Sequence, residues 1–321
     1  MYPSDSAPLT DPKGRTPPRT LGSWDRKDDP FLAKVGGTPL VPLRSLTLPG
    51  PSFELYGKAE FLNPTGSVKD RAAFAIVRKA LATGALARGR TLLDASSGNT
   101  GLSLAMLGAR VGFSVTLCLP RNAHPERIAA MREYGAELVF TDPGEGTDGA
   151  QAEAHRLAGA YPDRYFFADQ YNNPANPQAH FETTGPEVWQ QTGGRVTHLV
   201  AGVGTGGTIS GTGRFLKSQK PAVRVVAVEP TGPIHGIEGL KHLPTARRPS
   251  TYDASVVDLT VRVGTERAQE VRRRLIREEG LAVGMSAGAA VAVALDIGRS
   301  NPGSVVVAIL PDGGHPSEAA Q

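Results

Sequence analysis

Residues 91–120 read TLLDASSGNTGLSLAMLGARVGFSVTLCLP, and this stretch decides the fold. Two short apolar runs with β-branched residues, Thr91–Ala95 and Phe113–Leu119, predict buried strands. Between them lie a loop of small polar residues and a helical segment expected from about Leu102. The same rhythm runs outward in the chain, with strands expected at Glu137–Thr141, His198–Gly202, Arg224–Val228 and Ser304–Leu310. Ala73, Val77, Ala80 and Leu81 form one apolar helical face after Lys69, and Ile128 with Met131 form another behind Pro125, a residue suited to a first turn. Alternation of this kind predicts an α/β fold of mostly parallel sheets with helices on both faces.

A length of 321 residues suggests two domains. The expected division is an α/β domain over 29–173, carrying Lys69 and the Asn99 loop, and a second over 174–321, carrying a glycine-rich loop and Ser286. Residues 1–28, rich in Pro, Ser, Thr, Asp, Lys and Arg, read as a flexible extension. No apolar run reaches the roughly 18 residues of a membrane span and no signal-peptide core precedes the body, so a cytoplasmic protein is expected. The single cysteine, Cys118, has no internal partner and lies in a strand pattern, so a buried core thiol is expected. Thirty-five basic and 31 acidic residues are interspersed, which leaves no footprint for nucleic acid. The seven histidines lack metal-ligand spacing, and His180 and His198 read as structural. Arg272, Arg273 and Arg274 read as a solvated helix face.

In open α/β sheets the loops at the carboxyl ends of strands build the ligand site. One such loop is Asp94–Gly101, which offers hydroxyls, an amide and backbone N–H groups suited to an anion; it reads equally well as a plain helix cap. The other is Gly202-Val203-Gly204-Thr205-Gly206-Gly207-Thr208, where close glycines let backbone donors approach a phosphate. Gly202, Gly204 and Gly207 also fit a dinucleotide loop loosely, with Glu229 at the end of the next strand as its acidic partner, so that loop alone leaves NAD open. Lys69, in Asn63-Pro64-Thr65-Gly66-Ser67-Val68-Lys69-Asp70-Arg71, separates the two cases. A lysine at a helix entrance is ordinarily a solvated charge, yet the helix dipole disfavours a cation there. A Schiff base to an aldehyde cofactor would give it a reason to occupy that place.

With these stretches, GMSAGAAVAVA at 284–294 completes a set of four motifs that resembles the fold-type II family of pyridoxal-phosphate enzymes, the tryptophan synthase β-like fold. Residues 169–194, DQYNNPANPQAHFETTGPEVWQQTGG, resemble the bacterial B-type cysteine synthases of that family. The resemblance implies pyridoxal 5'-phosphate as cofactor, with Lys69 forming the Schiff base and then taking the substrate's α-proton. It implies Asn99 at the ring's 3' oxygen, Gly204, Thr205, Gly206, Gly207 and Thr208 around the phosphate, and Ser286 at the pyridine nitrogen, where an N-cap role is also open. Ser96, Ser97, Gly98, Thr100 and Gln170 would bind the substrate carboxylate. The segment 235–241, with Gly236 and Lys241, would lie near the substrate side chain, and Lys241 would meet an anionic sulfur donor or be a plain surface lysine. The implied reaction is β-replacement through an α-aminoacrylate, turning O-acetyl-L-serine and sulfide, or thiosulfate, into L-cysteine and acetate. O-Phosphoserine sulfhydrylase and cystathionine β-synthase are the alternatives within the family, and an NAD-dependent oxidoreductase lies outside it. A homodimer is implied. Pro311-Asp312-Gly313-Gly314 runs to Gln321 without the family's usual Tyr-Leu-Ser-Thr continuation, which puts any carboxyl-terminal part of the site in doubt.

Overall fold

The computed structural model describes residues 29–47 and 52–314. The expected extension over 1–28 and the final stretch from His315 lie outside the described residues. In chain order the principal elements are β1 (Leu40–Pro42), β2 (Glu54–Ala59), α1 (Lys69–Ala82), β3 (Thr91–Ala95), α2 (Asn99–Val111), β4 (Val115–Pro120), α3 (Pro125–Glu133), β5 (Glu137–Thr141), α4 (Gly146–Ala160) and β6 (Tyr165–Phe167). There follow α5 (Ala175–Glu182), α6 (Thr184–Gln191), β7 (His198–Gly202), α7 (Gly207–Gln219), β8 (Arg224–Pro230), β9 (Leu259–Val263), α8 (Thr265–Glu279), α9 (Met285–Ser300) and β10 (Val305–Leu310).

The strands form two sheets, one of four in the order β5-β4-β3-β6 and one of six in the order β1-β2-β10-β7-β8-β9. Every pairing is parallel except β1 with β2. The central strands β4 and β10 are buried along their whole length, as strands covered on both faces must be. Helix α9 carries almost only Ala, Gly and Val through its middle and is buried nearly all round. It packs on β10 and β7 on one side and on α8 on the other, so its small residues let backbone layers approach closely.

Four strands escape the sequence reading, and they redraw the domain boundary. The stretch ELYGKA does not look like a buried strand, because it holds Gly57 and Lys58. It becomes β2 through long-range partners: it runs parallel to β10, with Gly57 opposite Ala308, and the Leu310 side chain fills the space a Cβ on Gly57 would need. Residues 40–59 therefore belong to the six-stranded sheet, and a cut at 173 does not separate the two. Helix α2 begins at Asn99 rather than Leu102, so Asn99 and Thr100 are helical. Gly284, not Ser286, occupies the N-cap of α9. Arg272 is buried rather than solvated; it shares a face of α8 with Ala268 and Leu275, and its Nε donates to the Val283 carbonyl at 2.8 Å.

Charges buried between the sheets fix the start of α1. Arg71 donates through Nε and Nη2 to both oxygens of Glu60, each at 2.7 Å, and through Nη1 and Nη2 to both oxygens of Glu187, also at 2.7 Å. Lys58 on β2 donates to the same Glu187 at 2.7 Å. Burial works against the Glu187 anion, yet Arg71 and Lys58 overcome it and hold its carboxyl down at about 2. A carboxyl lowered in the folded state stabilises above its unfolded value of about 4.3, and loses that contribution as pH falls towards 2. Glu187→Ala would leave two buried cations facing one carboxylate fewer and should cost about 3–5 kcal/mol, measured by urea unfolding at neutral pH. The difference between variant and parent should shrink on acidification; a loss under about 1 kcal/mol would mean that the network adds little.

Candidate functional site

Lys69 is the first residue of α1, at the floor of a cleft between the two sheets. Its helix start is capped through Asp70, whose carboxylate accepts from the Thr65 N–H at 2.7 Å and from the Ser103 hydroxyl at 2.6 Å. Burial lowers the lysine's pKa from its ordinary value, and the Asp312 carboxylate pulls it partly back.

The carboxyl end of β3 supplies the wall above Lys69. Ser96 turns its hydroxyl inward to accept the Gly101 N–H at 3.0 Å, which holds the loop closed. Thr100 donates to Gln170 Oε1 at 2.6 Å, while Gln170 Nε2 donates to the Ala95 carbonyl at 3.3 Å. Thr100 and Gln170 thus brace the loop, while Ser97, Gly98 and the start of α2 face the cavity.

The carboxyl end of β7 supplies the opposite wall, at the amino terminus of α7. Gly206 adopts φ +83°, where only glycine sits without strain. A Cβ on Gly204 would lie 2.3 Å from the Gly239 carbonyl, and one on Gly207 would lie 2.0 Å from Asn176 Oδ1. Asn176 Nδ2 donates to the Thr205 hydroxyl at 3.1 Å, and Thr251 donates to the Thr205 carbonyl at 2.6 Å. A loop this tightly backed, ending on free helical N–H groups, is a cradle for an anion such as phosphate. His180 sits behind it, its ring nitrogens 2.9 Å from the Thr184 hydroxyl and 3.2 Å from the Thr208 hydroxyl. Burial pushes that imidazole down to about 3, and nearby Arg71 adds to the effect, so His180 is a neutral structural residue.

One cavity of about 310 Å³ brings together Lys69, Ser96, Ser97, Gly98, Asn99, Thr100, Gln170, Gly204, Thr205, Gly206, Thr208, Lys241 and Ser286. Two expected residues are not in its wall. Gly207 lies buried against Asn176, and Gly236 lines a neighbouring cavity beyond Asn99 and Asp312. The Lys241 amine stands 4.9 Å over the Tyr171 ring, so it is a wall residue rather than a free surface charge. Sequence reasoning missed Arg127, Thr147, Tyr171, Glu238 and Asp312 in the wall, and Asn176 behind it. Arg127 on α3 pairs with Glu238 from the loop after β8, which closes part of the mouth between the two sheets. Neither Arg127 nor Glu238 has a signal in the sequence, since their partnership exists only across the cleft.

Other chemistries find no footing here. Glu229, the acidic residue a dinucleotide loop would need, is buried 3.9 Å from Arg262 and is absent from the cavity wall. Cys118 is wholly buried, and burial pushes its thiol up to about 12. Among the described residues no cluster of His, Cys, Asp or Glu could hold a metal, and no helix is long and apolar enough to cross a membrane.

Comparison with known proteins is consistent across sequence and structure. Residues 32–312 match the family model of pyridoxal-phosphate dependent enzymes. The chain is 45% identical over 291 residues to a cysteine synthase of Aquifex aeolicus, covering 88% of this chain and 89% of that protein. It is 43% identical over 280 residues to cysteine synthase B of Escherichia coli, covering 87% and 91%. The crystal structure of O-acetyl serine sulfhydrylase isoform 3 from Entamoeba histolytica superposes with a TM-score of 0.84 at 37% identity, covering 89% of this chain and 88% of that one.

Gly204→Ala puts a methyl group into the Gly239 carbonyl and should weaken binding of a phosphate-bearing ligand about tenfold or more with the circular dichroism spectrum unchanged. Equilibrium dialysis checks this, and parental affinity would place the anion elsewhere.

Proposed function

The chain belongs to the family of pyridoxal-phosphate dependent enzymes, and from that premise we propose that it is a cysteine synthase, converting O-acetyl-L-serine and sulfide to L-cysteine and acetate. The observation that carries the reading is the convergence of Lys69, the α2 loop and the α7 cradle on one cavity. The residues fit the cofactor: the cradle has no room for a Cβ at Gly204 or Gly207, as backbone donors approaching a phosphate require, and a lysine of lowered pKa faces it.

Bound there, pyridoxal phosphate would act as an electron sink for the substrate's α-carbon. Lys69 would hold the cofactor and, released from it, take the α-proton, a task for which a pKa brought down by burial suits it. Backbone N–H groups of 204–208 and the hydroxyls of Thr205 and Thr208 would hold the phosphate. Asn99 would bond the ring's 3' oxygen. Ser97, Gly98 and the start of α2 would orient the substrate carboxylate, with Ser96, Thr100 and Gln170 bracing them. Ser286 is buried beside the cavity floor, and as a neutral hydroxyl at the ring nitrogen it would not hold a proton there as an aspartate would. That favours prompt loss of a β-substituent over a long-lived carbanion. The assembly is read as a cytoplasmic homodimer, as the resemblance implies.

A purified protein should carry a visible Schiff-base band that shifts on adding O-acetylserine and returns on adding sulfide. Lys69→Ala should lose the band and turnover together, and a variant that kept both would overturn the reading. Lys241 gives an anionic sulfur donor a cation on the cavity wall. Lys241→Ala should therefore slow turnover with thiosulfate about tenfold while sparing sulfide, and equal rates would remove that role.

A further inference from the structure

The stretch that follows β10 ties the two key residues of the cavity together. The Pro311 carbonyl accepts from the Val68 N–H at 2.7 Å, Asp312 bridges Ser67, and the Gly313 N–H donates to the Gly66 carbonyl at 3.3 Å. On its other side Gly284 N–H donates to the Asp312 carbonyl at 3.2 Å, and Gly314 N–H donates to the Ala282 carbonyl at 3.1 Å. Residues 311–314 are thus a strap between the turn that leads into Lys69 and the turn that leads into Ser286. All five contacts are main-chain contacts, so the side chain of Asp312 is left to other work.

That side chain enters the cavity. Oδ2 accepts from Asn99 Nδ2 at 2.8 Å, and Oδ1 fills the space where a Cβ on Gly284 would lie, 2.2 Å away. Lys69 from α1, Glu238 from the loop after β8 and Arg127 from α3 are the charged groups acting on the carboxylate. Among the described residues, Asp312 is the charge that acts on the Lys69 amine.

We propose that Asp312 is a positioning residue for Lys69: its carboxylate is the counter-charge of the lysine's ammonium and, through Asn99, keeps that charge in register with the α2 loop. The inference rests on the reading of Lys69 as the cofactor lysine. When Lys69 takes the α-proton, its lone pair forms the new N–H bond, the C–H pair stays with the substrate, and the amine becomes a cation in a cavity largely shut from water. Asp312 takes no proton in this step; it offsets the positive charge while the carbanionic pair moves on to expel acetate. The groups around Asp312 suit the task, because burial pushes its carboxyl up to about 6 while Lys69 and Asn99 oppose the rise, so at neutral pH it is an anion.

The test reads Lys69 before any turnover. Cofactor-free protein is treated with pyridoxal phosphate and borohydride at graded pH, and labelling of Lys69 is followed by peptide mass spectrometry. Asp312→Asn keeps an oxygen for Asn99 and removes the charge, and Asp312→Ser serves if the first variant does not fold. Either should move the labelling midpoint to lower pH by about one unit, since only burial then acts on the amine. Asn99→Ala, which retains the carboxylate, should leave the midpoint in place. A wild-type protein that is labelled at Lys69, beside charge-removed variants with an unmoved midpoint, overturns this inference alone. A wild-type protein that never takes up pyridoxal phosphate overturns the proposed function, and this inference with it.

Discussion

The parallel pairing of β2 with β10 is the constraint on which the rest of the molecule depends. It joins residues about 250 positions apart, Glu54 opposite Val305 through Ala59 opposite Leu310, at the centre of the six-stranded sheet. Bringing such distant segments together costs loop-closure entropy, which the fully buried β10 and the α9 layer above it offset through apolar burial. Once the pair forms, the chain leaving β10 lies against the chain entering α1. Lys69 then has its place beside Asp312 and Ser286, which no local preference could arrange.

The buried ions follow from the same pairing. Lys58 on β2 would be an outward lysine on an edge strand; here it is fully buried and answers Glu187 from α6. Arg71, two residues beyond Lys69, meets Glu187 and Glu60 in the same network, so the first turn of α1 is held from two directions. Removing any one partner would strand a charge, which makes the network costly to break whatever its net worth to stability. A catalytic lysine needs a rigid base more than it needs stability, and this arrangement supplies one.

The two sheets contribute different halves of the site. The four-stranded sheet offers the α2 loop and Arg127, and the six-stranded sheet offers the α7 cradle, Ser286 and Asp312. Helix amino termini point at the cavity from both, so two anionic groups can be held at once, one on each wall. The Arg127–Glu238 pair spans the mouth and is exposed enough to part and re-form, whereas the cradle beneath it is packed against side chains and a carbonyl that leave it no freedom.

Much of this was legible in the residues. Strands β3, β4, β5, β7, β8 and β10 were marked by their apolar runs, and the two anion loops by small residues at strand ends, because a parallel strand buried on both faces and a helix start each impose a local composition. Lys69 stood out as a cation where the helix dipole disfavours one. By itself, then, the sequence determined the fold class, the loops and the cofactor lysine. Tertiary structure alone decided that β2 is a central strand, that residues 40–59 join the later sheet, that Arg272 is buried, and that Asp312, Glu238 and Arg127 face the cavity. The physical reason is common to all of these: a charged or glycine-bearing segment shows its environment only through partners far away in the chain, and those partners are fixed by sheet register and packing rather than by neighbours in sequence.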